Sequence, residues 1–181
     1  MQNQNKVFIA TSLDGYIADR NGGLGFLDTY PEINSIDTGY NDHMASIDAL
    51  VMGRVSFETV VGFDIPWPYD KPVYVLSNTL DQVPEKCGDQ LTILNGSIPD
   101  ILEKIHSNGH TQLYIDGGKV IQSFLKHDLI DEMIITIIPV LLGGGIPLFS
   151  ESDASLNFEC FKTQLFLDKI VQNHYRKVEK A

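Results

Sequence analysis

The feature that most restricts this chain is a recurring unit: a short apolar run that stops at glycine or small polar residues. It occurs at Ala49–Met52 before Gly53-Arg54, at Val73–Leu76 before Ser77-Asn78-Thr79, and at Leu113–Ile115 before Asp116-Gly117-Gly118. Continuous apolar strands have no wet face, and interleaved with segments of helical period they specify a largely parallel sheet covered on both sides. Further strands are expected at Lys6–Ala10, Leu91–Leu94 and Met133–Ile138. Helices are expected at Asp42–Ile47, from Val55 through Val61, at Ile98–Ser107 with Ser97 as its cap, and at Gly118–Lys126. The last segments, Phe158–Phe166 and Ile170–Val178, read as a closing antiparallel hairpin around Asp168-Lys169. The fold class is therefore α/β, a mixed but mostly parallel sheet of about eight strands flanked by helices in a single domain over 1–181.

Composition narrows the function. The 181 residues suit one domain with a full core, and 43% hydrophobic with 20% charged is ordinary for a soluble globular chain. A net charge of −11 argues against nucleic-acid or acidic-membrane partners, which need an extended basic surface. An anionic ligand would need a locally positive pocket. Cys87 and Cys160 form neither a C-x-x-C pair nor a disulfide framework. With neither a signal peptide nor a membrane span in evidence, a cytoplasmic protein is expected.

Ligands of open α/β sheets bind at the carboxyl ends of the strands. Three loops there have the composition of a phosphate cradle. In Gly53-Arg54-Val55-Ser56, glycine permits close backbone approach, one of only three arginines offers a forked donor set, and the helix start offers free amides. Ser77-Asn78-Thr79 is a cluster of short donors, and Asp116-Gly117-Gly118-Lys119 joins a strand to a helix N-terminus. Each also has a plainer explanation: a glycine pair is often a tight turn, and Arg54 stands four residues from Glu58. Neither the G-x-G-x-x-G fingerprint nor the G-x-x-x-x-G-K-[ST] loop occurs.

These stretches carry a resemblance. "FIATSLDGYIAD" (Phe8 to Asp19), "DALVMGRVSFE" (Asp48 to Glu58), "KPVYVLSNT" (Lys71 to Thr79), "LYIDGGKVIQSFL" (Leu113 to Leu125) and "DEMIITIIPVLLGGGIPLF" (Asp131 to Phe149) resemble, in order, the dihydrofolate reductase-like family. The similar branch is the reductase domain of the bifunctional riboflavin-biosynthesis protein. The resemblance implies that family's three-layer fold, NADPH as cofactor, a small-molecule substrate and a homodimer. It also implies residue roles. The Gly53–Ser56 loop, with Arg54 and Ser56 foremost, would meet cofactor phosphates. Ser77 and Asn78 would lie near the adenosine ribose and its 2′-phosphate. Gly117, Gly118, Lys119 and Val120 would hold the diphosphate, and the main chain of Ala10 would meet the nicotinamide carboxamide.

The substrate end departs from both known patterns. "GGLGFLDTYPEINSIDTGYNDHM" lacks the Pro-Trp of true dihydrofolate reductases, with Asp37 only near the place of their pteridine-binding acid. The Gly53–Glu58 stretch lacks the Thr-rich loop and Asp-Pro pair of the riboflavin-pathway reductases. Asp14, after the first strand, is the expected catalytic carboxyl, positioning a substrate amide or relaying a proton; the alternative is that Asp14-Gly15 is a turn. Trp67 lines the substrate pocket or covers a loop, and Leu141–Gly145 turns the chain back beside it. His106 and His110 read as loop residues, and no metal site is expected. The uniformly apolar Met133–Ile138 suggests burial in a dimer. The reading is an NADPH-dependent reductase acting on a C=N or C=O group; a riboflavin-pathway pyrimidine reductase and a non-catalytic nucleotide sensor are the alternatives.

Overall fold

The computed structural model describes residues 3–152 and 154–178. Its sheet has eight strands: β1 (Gln4–Ser12), β3 (Ala49–Gly53), β4 (Val73–Leu76), β5 (Leu91–Leu94), β6 (Gln112–Asp116), β7 (Glu132–Ile138), β9 (Phe158–Phe166) and β10 (Ile170–Lys177). Their order is β5-β4-β3-β6-β1-β7-β10-β9. All pairings from β5 to β7 are parallel, and β10 is antiparallel to both β7 and β9. Two short strands unmarked in the sequence, β2 (Tyr16–Ala18) and β8 (Ile146–Pro147), form a separate antiparallel pair. Four α-helices complete the framework: α1 (Tyr40–Ala45), α2 (Arg54–Gly62), α3 (Ile98–Ser107) and α4 (Gly118–Lys126). Helix α1 begins two residues before the expected Asp42 and ends two before Ile47, and three 3₁₀ turns stand where no element was expected.

The helices fall on opposite faces because the strands alternate. Val51, Leu113 and Ile115 face α3 and α4, packing with Ile101, Ile105, Ile121 and Phe124. Leu50, Met52 and Val75 face the other way, with Phe57 of α2 and Tyr114. Ser97 caps α3 by accepting the Asp100 N–H, and Leu167 and Asp168 turn the β9–β10 hairpin at positive φ. Met133–Ile138 lies in β7, between β1 and β10 in mid-sheet. Its apolar uniformity is therefore explained within one chain and says nothing about a partner.

One irregularity positions the site. Strands β1 and β6 pair only from Gln4–Lys6 to Gln112–Tyr114, whereas β1 stays paired with β7 through Ser12. The sheet thus opens between β1 and β6 toward their carboxyl ends.

Candidate functional site

The opening is lined from both strands. Tyr114 donates its hydroxyl to the Phe8 carbonyl across it at 2.8 Å. In a strand, residues two apart turn their backbone groups the same way. Ala10 therefore directs its N–H and C=O into the part of the gap where no β6 residue pairs with it.

On β6, Asp116 shares Tyr114's face and sits at the mouth. It accepts from the Gly117 N–H and the Ser56 hydroxyl and is hydrogen-bonded to Tyr114. Burial nevertheless dominates and raises its carboxyl above the usual carboxylate range. Tyr40 and Tyr69 also lie within its field. Burial, reinforced by the Asp116 charge, raises the phenols of Tyr40, Tyr69 and Tyr114. Proton counting agrees with the direction at Asp116. The single Tyr114 proton is directed to the Phe8 carbonyl, which can only accept. A protonated Asp116 can donate to the Tyr114 oxygen and complete the chain Asp116 to Tyr114 to Phe8. An ionised Asp116 would compete with Phe8 for one proton. Asp116 was not singled out among the carboxylates in the sequence; the available signal was strand alternation, which puts it on the same face as Tyr114.

The three loops converge because β4, β3 and β6 are adjacent and parallel. Ser56, in the first turn of α2, rests its hydroxyl against Gly117, where a β-carbon would collide with it. Gly117 also has φ +86°, which a side chain rarely adopts. Gly53 similarly lies against Val120. Arg54 donates to the Thr79 hydroxyl at 2.9 Å and lies 3.5 Å from Glu58, so the expected Glu58 contact exists beside a link to the next loop. The Ser77 hydroxyl accepts from the backbone of Thr79 at 3.1 Å and Leu80 at 2.9 Å. Asn78, Val55 and Lys119 are exposed. Gly118 differs from the others: Ile17 of β2 occupies the space a side chain would need. Its smallness is explained by packing. The first-turn amides of α4, Gly118 through Val120, have no intrahelical acceptors. Together, the two loops pressed on each other at Gly117 and Gly53, the half-exposed guanidinium and the free amides fit a diphosphate-bearing cofactor.

The other expected residues lie farther out. Asp14 is exposed and accepts from the Ser12 hydroxyl at 2.6 Å, the Leu142 N–H at 3.1 Å and the Gly143 N–H at 2.8 Å. The Ser12 hydrogen bond, chiefly, holds its carboxyl below the ordinary value. Arg20 fixes the same loop through the Gly143 carbonyl at 2.9 Å. Asp14 thus ties the glycine loop to the end of β1. Asp37 is exposed and closes a turn on the Gly39 N–H at 2.9 Å, just before α1. Trp67 packs edge-on against Tyr69 at 5.1 Å and Phe57 at 5.9 Å, placing it behind Tyr69. His110 is a loop residue as expected, bonded to the Tyr74 hydroxyl at 2.8 Å, whereas His106, also expected in a loop, lies in the last turn of α3. Among the described residues there is no cluster suited to a metal, and no helix is long and apolar enough to cross a membrane.

Comparison with known proteins agrees with this architecture. A Shewanella sp. PV-4 protein assigned to riboflavin biosynthesis is 49% identical; the match covers 97% of this chain and 99% of that one, with a TM-score of 0.92. The Bacillus subtilis (strain 168) protein YwjB is 33% identical over 177 residues, 97% of this chain and 98% of its own. Dihydrofolate reductase from Enterococcus faecalis superposes with a TM-score of 0.68 at 16% identity, covering 99% of both chains, a likeness of fold. Residues 6–172 match the RibD C-terminal domain. The chain belongs to the RibD C-terminal domain family, on a dihydrofolate reductase-like fold.

Proposed function

We propose that this protein is an NADPH-dependent reductase that delivers a hydride to a C=N or C=O carbon of a small, flat heterocycle, with Asp116 as the group that holds the proton. The observation that carries the reading is the Asp116–Tyr114–Phe8 chain at the mouth of the β1–β6 opening. When bound, the nicotinamide supplies the hydride; the chain's residues orient it and manage the proton. The Gly53–Ser56 and Gly117–Val120 loops hold the diphosphate, with Arg54, Ser77 and Asn78 toward the ribose 2′-phosphate, and the Ala10 main chain takes the carboxamide. Tyr40 and Tyr69 offer aromatic surface to a planar substrate, and a protonated Asp116 turns its one O–H from the Tyr114 oxygen to the substrate's ring nitrogen or carbonyl oxygen.

A riboflavin-pathway reductase is the second reading, favoured by the Shewanella relative's assignment. A screen of oxidised pteridines, pyrimidines and related heterocycles for loss of reduced-nicotinamide absorbance tests both. Turnover of some heterocycle that disappears in Asp116→Asn supports the proposal. NADPH binding without turnover across the screen would favour a nucleotide-binding sensor.

A further inference from the structure

A second polar concavity lies apart from the cofactor loops. Between α1 and the β7–β10–β9 side of the sheet runs a groove of about 220 Å³, lined among others by Lys6, Asp42, His43, Glu132, Lys162 and His174. The volume is below the roughly 300–1,000 Å³ of pockets that enclose drug-sized molecules, so a small ion fits it and a cofactor does not. In a chain of net charge −11, two lysines and two of the five histidines meet here.

Two side chains are left incomplete by the protein. His43 is only 5% exposed, and its Nε2 has no hydrogen-bond partner among the described residues. Such buried polar atoms are uncommon and call for an explanation. His174 is defined by its neighbour. Gln172 donates from Nε2 to the Thr38 carbonyl at 3.2 Å and to the Thr136 hydroxyl at 3.0 Å. Because the carbonyl can only accept, the amide orientation is fixed, and Gln172 Oε1 must accept from His174 Nε2 at 3.0 Å. His174 Nδ1 is then the nitrogen that can take a second proton. Two carboxylates also line the groove: Glu132, in register between Lys6 and an Arg176 that is itself bound to Glu159, and Asp42, exposed on α1.

We propose that this groove binds a small oxyanion, either free phosphate or the phosphate or carboxylate end of a metabolite, held by Lys6, Lys162, His43 and His174. At present burial lowers both histidines, His43 to about 4, with Lys6 and Lys162 adding to the effect. An anion reverses that balance, because it screens the lysines and accepts from the protonated rings. The site lies behind the substrate opening. His43 packs on Tyr114 at 4.6 Å and on Phe8 at 5.2 Å, the two residues whose hydrogen bond spans the opening. An occupant therefore meets the ring that packs on the wall of the reductase cleft without entering it.

The test is a titration of the ring resonances of ¹⁵N-histidine-labelled protein with sodium phosphate at constant ionic strength. The proposal expects His43 and His174 to shift saturably toward the protonated form, with a midpoint that Lys162→Ala raises by about tenfold. Lys162 is exposed, so that variant folds. Arg54→Ala should leave the titration unchanged, which separates this groove from the cofactor loops. Sulfate and acetate arms identify the preferred end group: sulfate matching phosphate marks a phosphate-type ligand, and acetate matching it marks a carboxylate. Absence of any saturable shift, a midpoint indifferent to Lys162→Ala, or a shift lost in Arg54→Ala would each overturn the site.

Discussion

The hydroxyl of Ser56 rests against Gly117 so closely that no β-carbon fits between them, which locks the β3–α2 loop to the β6–α4 loop. Gly117→Ala would add that collision to the strain of a positive φ, at a cost of about 1–3 kcal/mol. The expected result is a lower thermal midpoint together with weaker NADPH binding. Ser56→Ala relieves the contact and should fold normally, and paired melting curves with cofactor titrations distinguish the two.

Asp116 should matter to turnover and not to cofactor affinity. Asp116→Asn keeps the shape but holds no transferable proton, so turnover should fall by about 10²-fold or more while NADPH binding changes only a few-fold. Its raised carboxyl also makes a signed prediction about stability. The folded protein retains this proton to higher pH than the unfolded chain, so stability is fully present below the ordinary carboxyl range and declines as pH rises through the raised value. Denaturant unfolding across pH should show a flatter profile in Asp116→Asn. Equal slopes in the two proteins would mean that Asp116 ionises normally.

Asp14 has the opposite sign. Its carboxyl is lowered, so the tie to Leu142 and Gly143 is in place above the ordinary carboxyl range and is lost as pH falls through the depressed value. Asp14→Ala should speed amide hydrogen exchange at Leu142 and Gly143 at neutral pH, leaving exchange in β3 and β6 untouched. A drop in turnover with unchanged exchange would instead give Asp14 a direct part in proton transfer.

Arg54 joins its own loop to Thr79, beside Ser77 and Asn78. Removing it in Arg54→Ala should weaken NADPH by about 1.5–3 kcal/mol and NADH by less, since a charge-assisted contact to the extra phosphate is lost. Calorimetric titration with both cofactors checks this; equal losses would place Arg54 on the shared diphosphate.

The sequence by itself determined the framework. The apolar run of β4 is legible because a strand buried on both faces has few polar positions, and α3 and α4 are legible from the helical spacing of their buried residues. These elements and the edge strand β5 occupy the spans expected of them. Glycine and small polar residues after those runs marked the loops, and parallel adjacency of β4, β3 and β6 then brought the loops together. The pair β2 and β8 was not legible: three and two residues carry no periodicity, and their pairing is specified by contacts more than a hundred residues apart. Asp14 shows the same limit. An Asp-Gly pair reads alike as a turn or as a catalytic acid, and only tertiary structure decided that its oxygens meet the amides of residues 142 and 143. Asp116 looked like part of a glycine turn. Its raised carboxyl comes from burial that outweighs the hydrogen bonds of Gly117, Ser56 and Tyr114, and that burial is assembled from separate loops and strands, which local sequence does not encode.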